Sequence, residues 1–242
     1  GGCSLGPMLN LRLARPCVVV DLRRISGLRL LVREDTHLGL GAGWAHAEIE
    51  DGVVPDVTLG LMRRVAHGIA YRAVRNRGTI GGSLAHADPA ADWISTLTAL
   101  DAELVIVGPR ETRTARLPAF MRAAYTPALA EDEILTAVRI PILSEGACWG
   151  YHKICRKTGE FAQAIGAVVL DRPRGFARIV CGAVEAPPVV LAQASAALLA
   201  GETARVQALA REETLAALAG HDATFRDLHV VAVERSLNEA GL

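Results

Sequence analysis

The apolar positions of this chain follow two rhythms, and together they predict a fold with both strands and helices. Cys17-Val-Val-Val-Asp21 and Leu28-Arg-Leu-Leu-Val-Arg33 are short β-favouring runs flanking a turn at Ser26-Gly27, and Leu38 to Gly43 continues the pattern. This region predicts a meander of strands. Pro55-Asp56 then opens a helix in which Leu59, Met62, Val65, Ala66 and Ile69 recur at helical spacing and form one core-facing stripe. A second helix is predicted from about Asp88 to Leu100, with Asp88 as N-cap and Pro89 at the first position, where the missing N–H costs nothing.

Strand character returns from Ala102 to Val107, with a turn at Gly108-Pro109 and a returning strand through Arg116. Phe120 to Ala124 reads as a short helix, and Glu133 to Pro141 as a strand stopped by proline. Ser144-Glu145-Gly146 is the predicted boundary between a domain of residues 1–143 and one of residues 147–242. Beyond it, Trp149 to Cys155, Ala162 to Asp171 and Ala177 to Val184 predict an antiparallel sheet, with a turn near Pro173-Arg174-Gly175. Helices are predicted at Val189 to Ala200, ended by Gly201, and within Ala204 to Ala219 and Asp227 to Asn238. The expected fold class is α+β.

Charge narrows the function classes. Lys+Arg and Asp+Glu both number 26, so no general attraction to nucleic acid or anionic membrane is expected. No apolar run reaches bilayer length and the first residues carry no basic leader, which makes a cytoplasmic protein without an integral membrane segment the expectation. The five cysteines are odd in number and never spaced C-x-x-C, so they read as reduced, buried thiols, and no metal site is expected.

One stretch carries candidate chemistry. Arg77-Gly-Thr-Ile-Gly-Gly-Ser83 followed by Leu-Ala-His-Ala-Asp-Pro-Ala-Ala-Asp92 reads as a glycine loop feeding a helix start. Gly81 and Gly82 lack Cβ, which lets a pyrophosphate approach the backbone and lets N–H groups turn inward, while Thr79 and Ser83 add hydroxyl donors. Arg72, Arg75 and Arg77 precede the loop and read as a solvated face or a subunit contact. Gly39-Leu-Gly41-Ala-Gly43 lacks the spacing of a Rossmann fingerprint. His46-Ala47-Glu48 has no following P-C-x-x-C, so it reads as surface residues after a strand, not as part of a zinc deaminase site. No G-x-S-x-G elbow and no Walker lysine are present. On the residues alone, the ligand of the loop stays open.

A second glycine-containing segment, Gly1-Gly-Cys-Ser-Leu5 continuing to Ala14, changes this. Together with Thr79-Ile-Gly-Gly-Ser83, Tyr151-His-Lys-Ile-Cys-Arg-Lys157 and Val180-Cys-Gly-Ala-Val184, it resembles the FAD-binding medium subunit of the xanthine dehydrogenase and carbon monoxide dehydrogenase family, across almost the whole chain. The resemblance implies an FAD-binding domain of the vanillyl-alcohol-oxidase (PCMH) type and a small C-terminal domain with an antiparallel sheet and helices. It implies that Gly1, Gly2, Cys3 and Ser4, with Leu5 adjoining, wrap the FAD diphosphate from one side. Thr79, Ile80, Gly81, Gly82 and Ser83 would do so from the other. Asp92 matches an acidic FAD contact, Ile69 an apolar neighbour of the cofactor, and Leu135 and Lys153 positions near the isoalloxazine ring.

The implied chemistry is electron transfer with no catalytic residue on this chain. Molybdopterin and [2Fe-2S] clusters are expected on partners, a large molybdenum-binding subunit and a small iron-sulfur subunit, in a dimer of heterotrimers. The family segment preceding Gly1 is absent from the sequence, leaving the first subdomain incomplete, and the accompanying expectation is weak or absent FAD retention. The rival readings are an FAD-free assembly subunit and a stand-alone flavin oxidase.

Overall fold

The computed structural model describes residues 1–242. Its helices in chain order are α1 (Leu5–Asn10), α2 (His46–Glu50), α3 (Leu61–Gly68), α4 (Arg72–Arg75), α5 (Ile80–His86), α6 (Asp92–Ala99), α7 (Leu117–Phe120), α8 (Ala192–Ala200), α9 (Thr203–Ala217) and α10 (Ala223–Glu239). The strands are β1 (Leu31–Arg33), β2 (His37–Gly41), β3 (Glu103–Val107), β4 (Thr112–Arg116), β5 (Met121–Ala123), β6 (Thr126–Pro127), β7 (Ile134–Pro141), β8 (Cys148–Ile154), β9 (Ala164–Asp171), β10 (Phe176–Gly182) and β11 (Val189–Val190). They form a five-stranded sheet in the order β1-β2-β7-β3-β4, a four-stranded sheet in the order β11-β10-β9-β8, and the small β5-β6 ribbon. All pairings are antiparallel.

Burial explains the two kinds of strand. β3 alternates, sinking Leu104 and Ile106 while Glu103 and Val105 are only half-buried, because one face meets the core. β9 is buried at every position, being central in its sheet and covered by α6 on one face and α10 on the other. α10 lies directly on the sheet backbone: a Cβ at Gly150 or Gly166 would stand 1.8 Å from the Ser236 carbonyl oxygen or 2.2 Å from that of Ala232. One apolar cluster of 38 buried residues runs from Leu28 to Ala183 and joins the two sheets through α6, and a second of 14 lies between the smaller sheet and α8, α9 and α10.

Several expectations are corrected. Cys17 to Asp21 forms no strand, since no neighbouring strand completes its hydrogen bonds, and Val18 is 76% exposed. The helix expected from Pro55 starts at Leu61, because Leu59 and Gly60 both have positive φ and interrupt it. Asp88 caps no helix. Its carboxylate accepts from the Ala90 N–H within a turn, and α6 begins four residues later. The glycine loop is itself helical, as α5. Phe120 closes a helix begun at Leu117, and Met121–Ala123 is a strand, while Val189–Val190 pair with Val180 and Cys181 ahead of α8. Gly201 ends α8 with φ +81°, as expected.

Candidate functional site

A cleft of about 450 Å³ opens between the N-terminal segment and the α5 region. Gly1 to Leu5 line one wall, and Gly78, Thr79, Gly82 and Ser83 line the opposite one. Ile69 and Ala70, Asp92 and Lys153, and the loop residues Gly159 to Phe161 complete it. Backbone pairing ties the second wall to the start of α2: Ala45 and Thr79 form an antiparallel bridge in which the His46 N–H donates to the Gly78 carbonyl and the Ile80 N–H to that of Trp44.

The two glycine segments present very different surfaces. In α5, the Gly81 N–H donates to the Ala42 carbonyl and the Gly82 N–H to Thr79 Oγ1, so the amides assigned to a ligand are already bonded within the protein. A Cβ at Gly81 would lie 2.3 Å from that of Ala42, which makes this glycine a requirement of packing. Ile80 is fully buried, and neither residue lines the cleft. Leu135 is 5% exposed within the core beside Ile106 and does not line the cleft either. The N–H groups of Gly2, Cys3 and Ser4 find no backbone or side-chain acceptor, and Gly2 adopts φ +77° with open space around its Cβ direction. The donors available to a ligand therefore lie on the first segment, with Thr79 N–H and the Ser83 hydroxyl facing them.

Helix α6 and strand β8 meet at Asp92. Its carboxylate accepts a 2.6 Å hydrogen bond from the Tyr151 hydroxyl and pairs with Lys153 Nζ at 3.1 Å, while Lys153 also donates to the Gly68 carbonyl. Burial pushes the Asp92 carboxyl up, opposed by Lys153 and Tyr151, and burial beside Asp92 pushes the Tyr151 phenol well up. Lys153 thus reaches the cleft as a cation whose position is fixed by a buried carboxylate.

Of the arginines before α5, Arg77 is exposed as a solvated face would be, whereas Arg72 and Arg75 are tied to carboxylates. Arg75 is buried, binds Glu50 through Nε at 2.7 Å and Nη2 at 3.0 Å, and donates to the Ile69 and Ala70 carbonyls, pinning the turn that forms one cleft wall. Arg72 pairs with Asp51 and Glu50. His46 is also corrected: it lies on α2, 5% exposed, and lines the cleft floor beside Gly78. Among the lining residues that sequence reasoning did not assign to the site are His46, His86, Asp88 and Phe161, and Tyr151 acts on it indirectly, through Asp92. No group of three or more His, Cys, Asp and Glu side chains is placed to hold a metal ion, and all five cysteines are free.

Residues 1–143 match the family of the FAD binding domain in molybdopterin dehydrogenase. The carbon monoxide dehydrogenase medium chain of Hydrogenophaga pseudoflava is 37% identical over 172 residues, which is 71% of this chain and 60% of that relative. The nicotine 6-hydroxylase medium subunit of Paenarthrobacter nicotinovorans is 38% identical over 171 residues, 71% of this chain and 60% of the relative. The chain thus spans about three fifths of the length of these curated relatives. Among solved structures, a carbon monoxide dehydrogenase from Hydrogenophaga pseudoflava lacking the Mo-pyranopterin moiety superposes with TM-score 0.88 at 32% identity, covering 99% of this chain and 87% of the other. Quinoline 2-oxidoreductase from Pseudomonas putida 86 gives 0.84 at 30% identity, with coverage of 99% and 87%.

Proposed function

This chain belongs to the family of FAD-binding domains of molybdopterin dehydrogenases, and on that premise we propose that it is the flavin-carrying subunit of a molybdenum hydroxylase, relaying electrons from [2Fe-2S] clusters on a partner to an external acceptor. The observation that carries the reading is the donor set of the cleft: unbonded amides at Gly2, Cys3 and Ser4 face Thr79 and Ser83, with Lys153 beside them. The amides and hydroxyls suit a diphosphate, which needs close-approaching N–H and O–H donors.

FAD, when bound, supplies a redox centre that takes electrons singly and releases them in pairs. The chain supplies position and field. Gly1 to Ser4 would hold the diphosphate from one wall, with Leu5 adjoining, and Thr79, Gly82 and Ser83 from the other. Ile69 would give an apolar neighbour and Lys153 a positive charge near the ring. Ile80, Gly81 and Leu135 would act behind these walls, as packing.

The units 1–143 and 147–242 would together form the cleft, since Lys153 and Phe161 lie beyond the first. The partners in this reading are a large molybdenum-binding subunit and a small iron-sulfur subunit, assembled as a dimer of heterotrimers in the cytoplasm. No helix is long and apolar enough to cross a membrane.

Flavin titration followed by quenching of FAD fluorescence tests the proposal. Saturable binding of one FAD per chain is expected, weakened in Ser4→Ala and Lys153→Met. Absence of saturable binding, together with recovery of a flavin-free complex containing molybdenum and iron, would replace it with the assembly-subunit reading.

A further inference from the structure

The histidine on the cleft floor has no role in the reading above. His46 is 5% exposed, and its Nδ1 lies 3.0 Å from Trp93 Nε1. An indole nitrogen can only donate, so Nδ1 must accept and the proton of the neutral ring must sit on Nε2. Burial, with Arg75 adding to it, holds the His46 pKa down at about 4, so the ring stays neutral near pH 7. Nε2–H finds no acceptor in the protein. It lies against Gly78, where a Cβ would come within 2.8 Å of it, at the point where Gly1 to Cys3 and Thr79 converge on the cleft. Nε2 is not among the fully buried polar atoms that lack a partner, so it opens onto the cleft with its N–H free for a ligand oxygen.

We propose that His46 is a fixed-tautomer donor for the cofactor's diphosphate, with Trp93 as the residue that sets the tautomer and Gly78 as the clearance that lets Nε2–H reach the cleft. The proposal rests on the flavin reading and adds a specificity to it. A neutral donor held in one tautomer discriminates for an acceptor oxygen without adding net charge to a site that already holds Lys153. The phosphate, not the ring system, is the part of the cofactor it recognises.

The test uses FAD, ADP and riboflavin with the full chain, His46→Ala and Trp93→Phe. Loss of His46 is expected to weaken FAD and ADP about tenfold and leave riboflavin unchanged. Trp93→Phe, which keeps the imidazole but frees its tautomer, is expected to weaken FAD and ADP about threefold. Nitrogen-15 NMR of the wild-type imidazole should show Nε2 protonated and its resonance shifting on addition of ADP, a readout that a purely structural histidine would not give. Equal FAD and ADP affinities in wild type and Trp93→Phe, with an Nε2 resonance indifferent to ADP, would overturn the role of His46 while leaving FAD binding intact. Failure of the wild-type chain to bind either FAD or ADP would remove both.

Discussion

The segments Gly1 to Leu5 and Thr79 to Ser83 look alike in sequence, each a glycine pair close to a serine, yet Gly2 and Gly81 serve opposite purposes, Gly1 being packed against the Arg77 carbonyl. In the second, Gly81 makes room for the protein itself: its N–H is bonded to Ala42, and the space where a Cβ would go is filled by that residue. In the first, Gly2 makes room for something else, with a left-handed backbone, unbonded N–H groups around it and open space beside it. The difference teaches that a glycine pair signals close approach without saying what approaches. The hydrogen-bond inventory of the neighbouring amides does say it.

This contrast can be broken in four ways. The largest effect is expected just beyond the second segment, where Asp92→Ala leaves Lys153 and Tyr151 without their buried partner; a loss of about 3–5 kcal/mol should appear in denaturant unfolding without flavin. Acidification probes the floor between the segments. The folded pKa of His46, about 4, lies below the ordinary imidazole value of 6.5 that the unfolded chain keeps. Above pH 6.5 both states are neutral; below it the unfolded chain takes a proton that the folded chain refuses. Stability should therefore fall between those limits by at most about 3 kcal/mol, and His46→Gln should flatten the profile in chemical denaturation against pH.

Next, Gly81→Ala forces Ala42 to move and should cost about 1–3 kcal/mol, read as a lowered Tm of the flavin-free chain. If its Tm is unchanged, the packing role assigned to Gly81 is wrong. The smallest change in stability is expected at Gly2→Ala, about 1 kcal/mol from its positive φ alone, accompanied by a roughly tenfold rise in the Kd for FAD. A drop in Tm like that of Gly81→Ala, with Kd untouched, would erase the distinction between the segments.

Much of the architecture was legible because it rests on short-range pattern. The strands Glu103–Val107, Ile134–Pro141 and Ala164–Asp171 and the glycine stop at Gly201 follow from alternation, apolar runs and φ preference. What misled was anything decided by a distant partner. Val18 to Val20 are strand-like residues with no strand to pair with, and Asp88 is a good N-cap residue whose N–H partner lies in a turn. The site shows the same division. Thr79, Asp92 and Lys153 line the cleft, but Ile80, Gly81 and Leu135 sit behind it, and His46 reads as a surface residue because nothing local reveals Trp93 as its partner 47 residues away.

β8 deserves a mechanical reading. Trp149, Tyr151 and Lys153 reach from one face to the Leu59 carbonyl and to Asp92, while Gly150 on the other face touches α10 and His152 pairs with Glu239. No compliant layer of side chains separates Gly150 and Gly166 from that helix, so a shift of α10 is transmitted as a shift of the strand carrying Lys153. The C-terminal helix is thus a lever on the cleft cation, and a chain severed after residue 143 would lose both lever and load.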